Sequence, residues 1–215
     1  MSRRGIAGIL SGIVLLTSAA ALVPAAAAPK IVAFGDSITA GFGLSPEAAL
    51  PSRLEAKLRD QGIATKVVNA GVSGETTAGG LARLAWTLAD KPDLVILELG
   101  ANDALRGIDP ATVRANLETM IDKIQASGAK LLLLGMRAPP NWGADYQRAF
   151  DRIYRELADA HHVALDPFFL EGVAMDPSMN QADGLHPNEK GVAVMVDHIA
   201  PMVAKLLPKS EGGGS

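Results

Sequence analysis

The sequence contains no cysteine among its 215 residues. This absence excludes disulfide bonds, a thiolate metal site, a cysteine nucleophile and a lipid anchor attached through cysteine. An excess of charge is also missing, because 20 lysines and arginines stand against 23 aspartates and glutamates, for a formal net charge of −3. We therefore do not expect binding to nucleic acid or to an anionic membrane surface.

The amino-terminal stretch differs in composition from the rest of the chain. Arg3 and Arg4 precede a mostly apolar segment over residues 6–23, and small residues follow at 25–28. A charged start, an apolar middle and a small-residue end are typical of a secretory signal peptide. The sequence therefore predicts a signal peptide over residues 1–28 and a periplasmic or secreted protein, with no membrane anchor once the signal is removed.

The remaining composition indicates one ordinary folded domain. Apolar residues make up 48% of the chain and charged residues 20%, whereas a disordered chain has fewer of the former and more of the latter. Residues 209–215 are glycine-rich and are typical of a flexible tail or linker. The predicted domain spans residues 29–208, and its oligomeric state is left open.

Five short apolar runs alternate with segments of helical periodicity. The runs are continuously apolar, as in strands of a parallel sheet that are buried on both faces, and they cover residues 31–34, 66–69, 94–99, 131–134 and 163–165. The predicted helices cover residues 49–59, 81–89, 110–127, 146–160 and 190–207. This alternation predicts a three-layer α/β/α sandwich around a five-stranded parallel sheet.

Polar residues follow the predicted strands, at the carboxyl edge where sites gather in such sheets. Ser37 leaves the first run on a glycine-containing turn. A serine hydroxyl is a poor nucleophile unless a base takes its proton. His186 lies in a loop three residues after Asp183, and that spacing lets the carboxylate reach the imidazole Nδ1. We therefore predict Ser37 as nucleophile, His186 as base and Asp183 as the residue that orients the base.

A hydrolase also needs donors for the oxyanion of its tetrahedral intermediate. Gly74 follows the second run and offers a backbone N–H, and Asn102 follows the third and offers a side-chain amide. The Ser37 N–H would be a further donor. Each residue also has a purely structural reading, since Gly74 would permit a turn and Asn102 would form one.

Other titratable residues are assigned no catalytic role. His161 and His162 end a polar helical segment and are expected to face solvent, and His198 is expected to be a packed or surface residue of the last helix. Asp36 and Asp103 are expected to bond loop backbone around the site rather than act as acids.

Four blocks, taken in order, resemble those of the SGNH (GDSL-type) hydrolase family. They are Gly35-Asp36-Ser37, the glycine at Gly74, Gly100-Ala101-Asn102-Asp103, and Asp183-Gly184-Leu185-His186-Pro187. The resemblance extends over residues 30–207 and is strongest to bacterial periplasmic arylesterases and the related multifunctional thioesterase/lysophospholipase. It implies the flavodoxin-like SGNH fold and no metal or cofactor. It also implies a triad of Ser37, Asp183 and His186, with oxyanion donors from Ser37, Gly74 and Asn102.

The resemblance further implies a serine esterase that acts on small-molecule aryl and short-to-medium acyl esters through an acyl-enzyme on Ser37, with thioesters and lysophospholipids left open. Two loops at the carboxyl edge are expected to contact the substrate through Leu105, Ile108, Met136, Pro140 and Trp142. Two alternatives stay open: an SGNH acetylesterase acting on sugars, and a non-catalytic carbohydrate- or lipid-binding module on the same fold.

Overall fold

A computed structural model describes residues 28–208 of the chain. The predicted signal peptide over residues 1–28 lies outside the described residues except at its last position, and the predicted tail over residues 209–215 lies outside them entirely. Within the described part, no helix combines the length and the apolarity needed to cross a membrane.

A five-stranded sheet forms the centre of the domain. Its strands are β1 (Lys30–Gly35), β2 (Lys66–Gly71), β3 (Leu94–Glu98), β4 (Lys130–Leu134) and β5 (Ala164–Asp166). The strand order is β2-β1-β3-β4-β5, and all neighbours pair in parallel. Each predicted run coincides with an observed strand apart from small differences at its ends, and the predicted fold class is confirmed. From β1 the chain adds β2 on one side and then β3, β4 and β5 on the other, so the topological switch point lies between β1 and β3. Ligands bind at such switch points in open α/β sheets.

Helices cover both faces of the sheet. They are α1 (Ser37–Ala40), α2 (Leu50–Asp60), α3 (Thr77–Ala89), α4 (Ala101–Leu105), α5 (Pro110–Ala126), α6 (Ala144–Asp151), α7 (Ile153–His161) and α8 (Glu189–Leu206), with a 3₁₀ turn at Pro140–Trp142. Helix α2 packs against α8, and α3 packs against α5. These pairs form the two outer layers of the sandwich.

Two helices depart from the predicted bounds. The single helix predicted over residues 146–160 is two helices, α6 and α7, which meet at Arg152. Periodicity missed the break because both segments bury apolar side chains, Phe150 in α6 and Ile153 in α7. Helix α3 begins at Thr77, earlier than predicted, because the Thr76 hydroxyl caps it and Gly80 lets it lie directly against Leu99.

Candidate active site

Ser37 lies where β1 ends and α1 begins, on a turn that brings its hydroxyl to the carboxyl edge of the sheet. Gly35 closes β1, and a Cβ at this position would collide with the Thr39 hydroxyl and the Glu98 carboxyl group. Asp36 is the N-cap of α1, so the Ser37 N–H belongs to the first turn of that helix. Ser37 itself is 8% exposed. The turn therefore holds Ser37 at the carboxyl edge of the sheet with little of the residue exposed.

Ser37, His186 and Asp183 form a continuous chain of contacts. The Ser37 Oγ lies 2.8 Å from His186 Nε2, and His186 Nδ1 lies 2.7 Å from Asp183 Oδ2. The other carboxylate oxygen, Oδ1, accepts the backbone N–H groups of His186 at 3.0 Å and Leu185 at 2.9 Å. These hydrogen bonds lower the pKa of Asp183 to about 2, and the bond from the His186 N–H contributes most. An ionised Asp183 keeps the proton on Nδ1, which leaves Nε2 free to accept the proton of Ser37.

Two residues that the sequence analysis did not consider support His186. The Phe42 ring packs against the imidazole with 4.6 Å between ring centroids. Gln181 Nε2 donates to the carbonyl oxygens of Phe42 at 2.7 Å and Pro187 at 3.0 Å, and so joins the two loops. No local sequence signal could have found these contacts, because Gln181 and Phe42 are 139 residues apart.

The loop after β2 presents Gly74 at the same edge of the sheet. Gly74 has a positive φ of 79°, and Arg106 donates from Nη2 to its carbonyl oxygen at 2.9 Å. The next residue, Glu75, pairs with Arg83, and Arg83 Nη2 also donates to the Gly35 carbonyl at 3.1 Å. Arg83 therefore ties the Gly74 loop to the end of the strand that carries Ser37.

Asn102 lies in the first turn of α4, immediately after β3. The preceding Gly100 has a φ of 117°, and a Cβ there would collide with the Tyr154 hydroxyl. Asn102 Nδ2 donates to Asp36 Oδ2 at 3.0 Å. The side-chain amide is thereby placed beside the Ser37 turn, on the neighbouring strand end.

Asp36 and Asp103 both bond backbone around the site, as predicted, but the N–H groups belong to the first turns of α1 and α3 rather than to loops. Asp36 Oδ1 accepts the Ile38 N–H at 3.0 Å, and Asp103 accepts the N–H of Thr77 at 2.9 Å and its hydroxyl at 2.6 Å. Burial raises the pKa of both carboxyl groups. A further acid, Glu98, ends β3 with 0% exposure, and burial followed by the Asp36 charge raises its pKa well above the ordinary value. No sequence pattern marks Glu98 as a residue of the site, because it lies inside an apolar run.

Three of the five predicted substrate-contacting residues present surface. Leu105 is 48% exposed, Trp142 is 46% exposed and Pro140 is exposed. Trp142 Nε1 donates to the Ala104 carbonyl at 2.8 Å, which joins the two predicted loops. Ile108 is partly buried and packs against the core.

Met136 does not present surface to a ligand, contrary to the expectation. It is 2% exposed and belongs to the hydrophobic core. The reason is that the chain continues in sheet-like contact after β4, since the Gly135 N–H donates to the Asp166 carbonyl at 2.7 Å. Met136 therefore continues the buried run of the strand.

One histidine prediction was wrong. His161 does not face solvent: its side chain is 17% exposed and lies between Glu118 and Asp122 of α5, at 3.4 Å and 3.2 Å. It ends α7, whose buried face packs against α5, and this packing encloses the imidazole. His162 is exposed, and His198 Nδ1 lies 3.6 Å from the buried Asp166. Among residues 28–208, no three histidine, aspartate or glutamate side chains converge on a possible metal position.

Comparisons with known proteins agree with this arrangement. Residues 33–194 match the model of the GDSL-like lipase/acylhydrolase family. Esterase TesA of Pseudomonas aeruginosa is 45% identical over 200 residues, which cover 93% of this chain and 98% of the relative. A crystal structure of TesA matches with a TM-score of 0.79 at 45% identity, covering 83% of this chain and 99% of that one.

Two further relatives carry other substrate names. An arylesterase of Vibrio mimicus is 41% identical, over 84% of this chain and 91% of its own length. The thioesterase 1/protease 1/lysophospholipase L1 of Escherichia coli strain K12 is 40% identical, over 85% of this chain and 87% of its own. The chain belongs to the GDSL-like lipase/acylhydrolase family, and it is a carboxylic ester hydrolase.

Proposed function

We propose that this protein hydrolyses small-molecule esters through an acyl-enzyme on Ser37. The observation that carries the proposal is the chain from Ser37 Oγ to His186 Nε2 at 2.8 Å and from His186 Nδ1 to Asp183 at 2.7 Å. As Oγ attacks the ester carbonyl carbon, His186 takes its proton, and the negative Asp183 stabilises the imidazolium that forms.

The tetrahedral intermediate then collapses to the acyl-enzyme. His186 gives its proton to the departing alkoxide or phenoxide, which leaves as the alcohol. A water molecule, deprotonated by the same imidazole, next attacks the acyl carbon and releases the acid, which restores Ser37. In both tetrahedral intermediates the oxyanion would accept hydrogen bonds from the N–H groups of Ser37 and Gly74 and from the Asn102 amide.

The side chains around the triad favour apolar substrates. Phe42 packs on the His186 ring and Leu185 precedes His186 in the chain, and they are 50% and 57% exposed. Val72 lies two residues before Gly74 and Leu105 three residues after Asn102, and they are 45% and 48% exposed. Of these four, only Leu105 was predicted as a substrate contact. Such surface favours aryl groups and short-to-medium acyl chains, with each buried CH₂ worth about 0.8 kcal/mol. We also propose that the protein is exported to the periplasm or beyond, on the evidence of its amino-terminal composition.

A substrate panel tests the proposed class. The values of kcat/KM for phenyl acetate and p-nitrophenyl butyrate should exceed that for acetylated xylan fragments, because Phe42, Leu185 and Leu105 expose apolar surface at this edge of the sheet. An acyl thioester and a lysophospholipid belong in the same panel, since one relative is named for both activities. A clear preference for the xylan fragments would overturn the aryl and acyl ester assignment and favour the sugar acetylesterase.

Asn102→Ala tests the oxyanion donor. We expect kcat to fall on the order of 10²–10³-fold with little change in KM, because the amide would stabilise charge that develops only in the transition state. Asn102→Asp should lower kcat at least as far, since it places negative charge where negative charge develops. Asn141→Ala, in the exposed 3₁₀ turn at Pro140–Trp142, is the control and should leave kcat unchanged. A rise in KM at unchanged kcat would make Asn102 a substrate-binding residue instead.

A further inference from the structure

Glu98 is a carboxyl group placed directly beneath the nucleophile turn. It is fully buried at the end of β3, the strand next to β1. Its Oε2 accepts the Asp36 N–H at 3.1 Å and the Thr39 hydroxyl at 2.8 Å, so it holds residues on both sides of Ser37. Its other oxygen, Oε1, is buried without a hydrogen-bond partner. The proposed catalytic steps do not use this acid.

Asp36 lies between Glu98 and the Asn102 amide. It is 1% exposed, and its two carboxylate oxygens accept separate donors, the Ile38 N–H and the Asn102 amide, each at 3.0 Å. A carboxylate only accepts, so the NH₂ group of Asn102 must face Asp36. One N–H of the Asn102 amide then donates to Asp36, and the other N–H can donate to a substrate oxygen.

The environments of the two acids differ in a way that places the charge on Asp36. Burial raises the pKa of both, but that of Glu98 is raised further, because it is completely enclosed and also faces the Asp36 charge. These shifts favour the proton on Glu98 and the charge on Asp36, whose two oxygens accept the N–H groups of Ile38 and Asn102.

We infer that Asp36 is a positioning residue that aims the Asn102 amide at the substrate oxyanion, and that Glu98 locks Asp36 and the Ser37 turn onto β3. The inference rests on the proposed function, because it assumes that Asn102 is an oxyanion donor. Asp36 would then have a role in catalysis in addition to capping α1.

A double-mutant cycle between Asp36 and Asn102 tests the positioning role. Asp36→Asn keeps the size of the side chain but turns one acceptor into an NH₂ group, which must face either Ile38 or Asn102. We expect kcat to fall about 10–100-fold with KM changed less than about threefold. In an Asn102→Ala background the same change should cost less than about threefold, because the amide that it aims is gone.

Asp166→Asn is the matched control for the cycle. Asp166 is also a fully buried carboxyl group at the end of a strand, but it contacts neither Ser37 nor Asn102. Its effect on kcat should be the same in both backgrounds. If Asp36→Asn is likewise additive with Asn102→Ala, Asp36 acts only as a cap, and the inference fails while the proposed function stands. If Asn102→Ala leaves kcat unchanged, the oxyanion role and the inference fail together.

Glu98→Gln tests the buried acid independently of whether the Asp36 variant folds. Glutamine keeps an oxygen for the Asp36 N–H and the Thr39 hydroxyl, so the turn stays attached to β3, and kcat should fall less than in Glu98→Ala. Glu98→Ala should lose both acceptor bonds and lower kcat. Loss of activity in a folded Glu98→Gln variant would show that an ionised Glu98 is needed, and would overturn the inference.

The pH dependence of stability gives a second readout for the same variant. Unfolded Glu98 ionises near its ordinary value of 4.5, whereas its pKa in the folded protein is raised well above that value. The contribution of Glu98 to wild-type stability is therefore fully present at pH values below 4.5 and is lost progressively as the pH rises toward its pKa in the folded protein. The Tm of Glu98→Gln relative to wild type should rise over that interval. A difference in Tm that does not vary with pH would contradict a neutral Glu98.

Discussion

Ser37→Ala should lower kcat by about 10⁴–10⁶-fold while leaving the fold intact. The variant removes one oxygen atom, the atom that would form the acyl-enzyme, and leaves the Gly35 turn and the Asp36 cap in place. The residual rate would come from the oxyanion donors and from substrate binding. The measurement is kcat for p-nitrophenyl butyrate together with Tm, and mass spectrometry after phosphonate treatment should place the adduct on Ser37 in the wild type and find none in the variant.

Ser73→Ala is the matched control for this experiment. Ser73 is an exposed serine next to Gly74, at the same edge of the sheet, so it is the nearest competitor for the phosphonate. It should keep wild-type kcat and full labelling. An adduct on Ser73, or full activity in Ser37→Ala, would rule out the proposed nucleophile.

The fold was predictable because its signals are local. Continuous apolar runs predict buried parallel strands, and the five that were predicted are the five strands of the sheet. In α5 the apolar residues spaced at helical periodicity are buried in full, with Val113, Leu117, Met120, Ile121 and Ile124 all at 0% exposure. Gly128, just beyond this helix, has the positive φ expected of a residue that ends one.

The parts of the site that were missed depend on contacts between distant segments. Gln181 reaches Phe42 across 139 residues, and no periodicity or spacing reports such a pair. The role of Glu98 could not be predicted for another reason. It lies inside an apolar run that indicates only a buried strand, and its contacts with Asp36 and Thr39 appear only in the folded structure. Met136 was misplaced because a loop at the carboxyl edge was assumed to face the ligand, whereas this residue continues the buried strand.

Asp183→Asn should lower kcat by about 10³–10⁴-fold, the second-largest expected loss. One oxygen of the Asp183 carboxylate accepts the N–H groups of Leu185 and His186, and the other contacts His186 Nδ1. An asparagine that keeps the backbone bonds must turn its NH₂ group toward Nδ1. The imidazole then carries its proton on Nε2, which faces Ser37 and can no longer accept the serine proton.

The pH profile checks that the loss in Asp183→Asn does not depend on the titration of Asp183. The pKa of Asp183 is lowered to about 2, so wild-type Asp183 stays ionised above about pH 3 and does not shape the activity profile there. The loss in Asp183→Asn should therefore persist across the whole range from about pH 5 to 9, with no recovery at either end.

Asp176→Asn is the matched control for Asp183→Asn. Asp176 has the same local pattern, since its carboxylate accepts the N–H and the hydroxyl of Ser178, and its pKa is also lowered. It bonds no histidine among the described residues, so its substitution should leave kcat within about twofold of wild type. Equal losses in the two variants would mean that Asp183 only stabilises its loop. A loss of kcat in Asp183→Asn alone, with unchanged Tm, would show that catalysis depends on the contact between Asp183 and the imidazole.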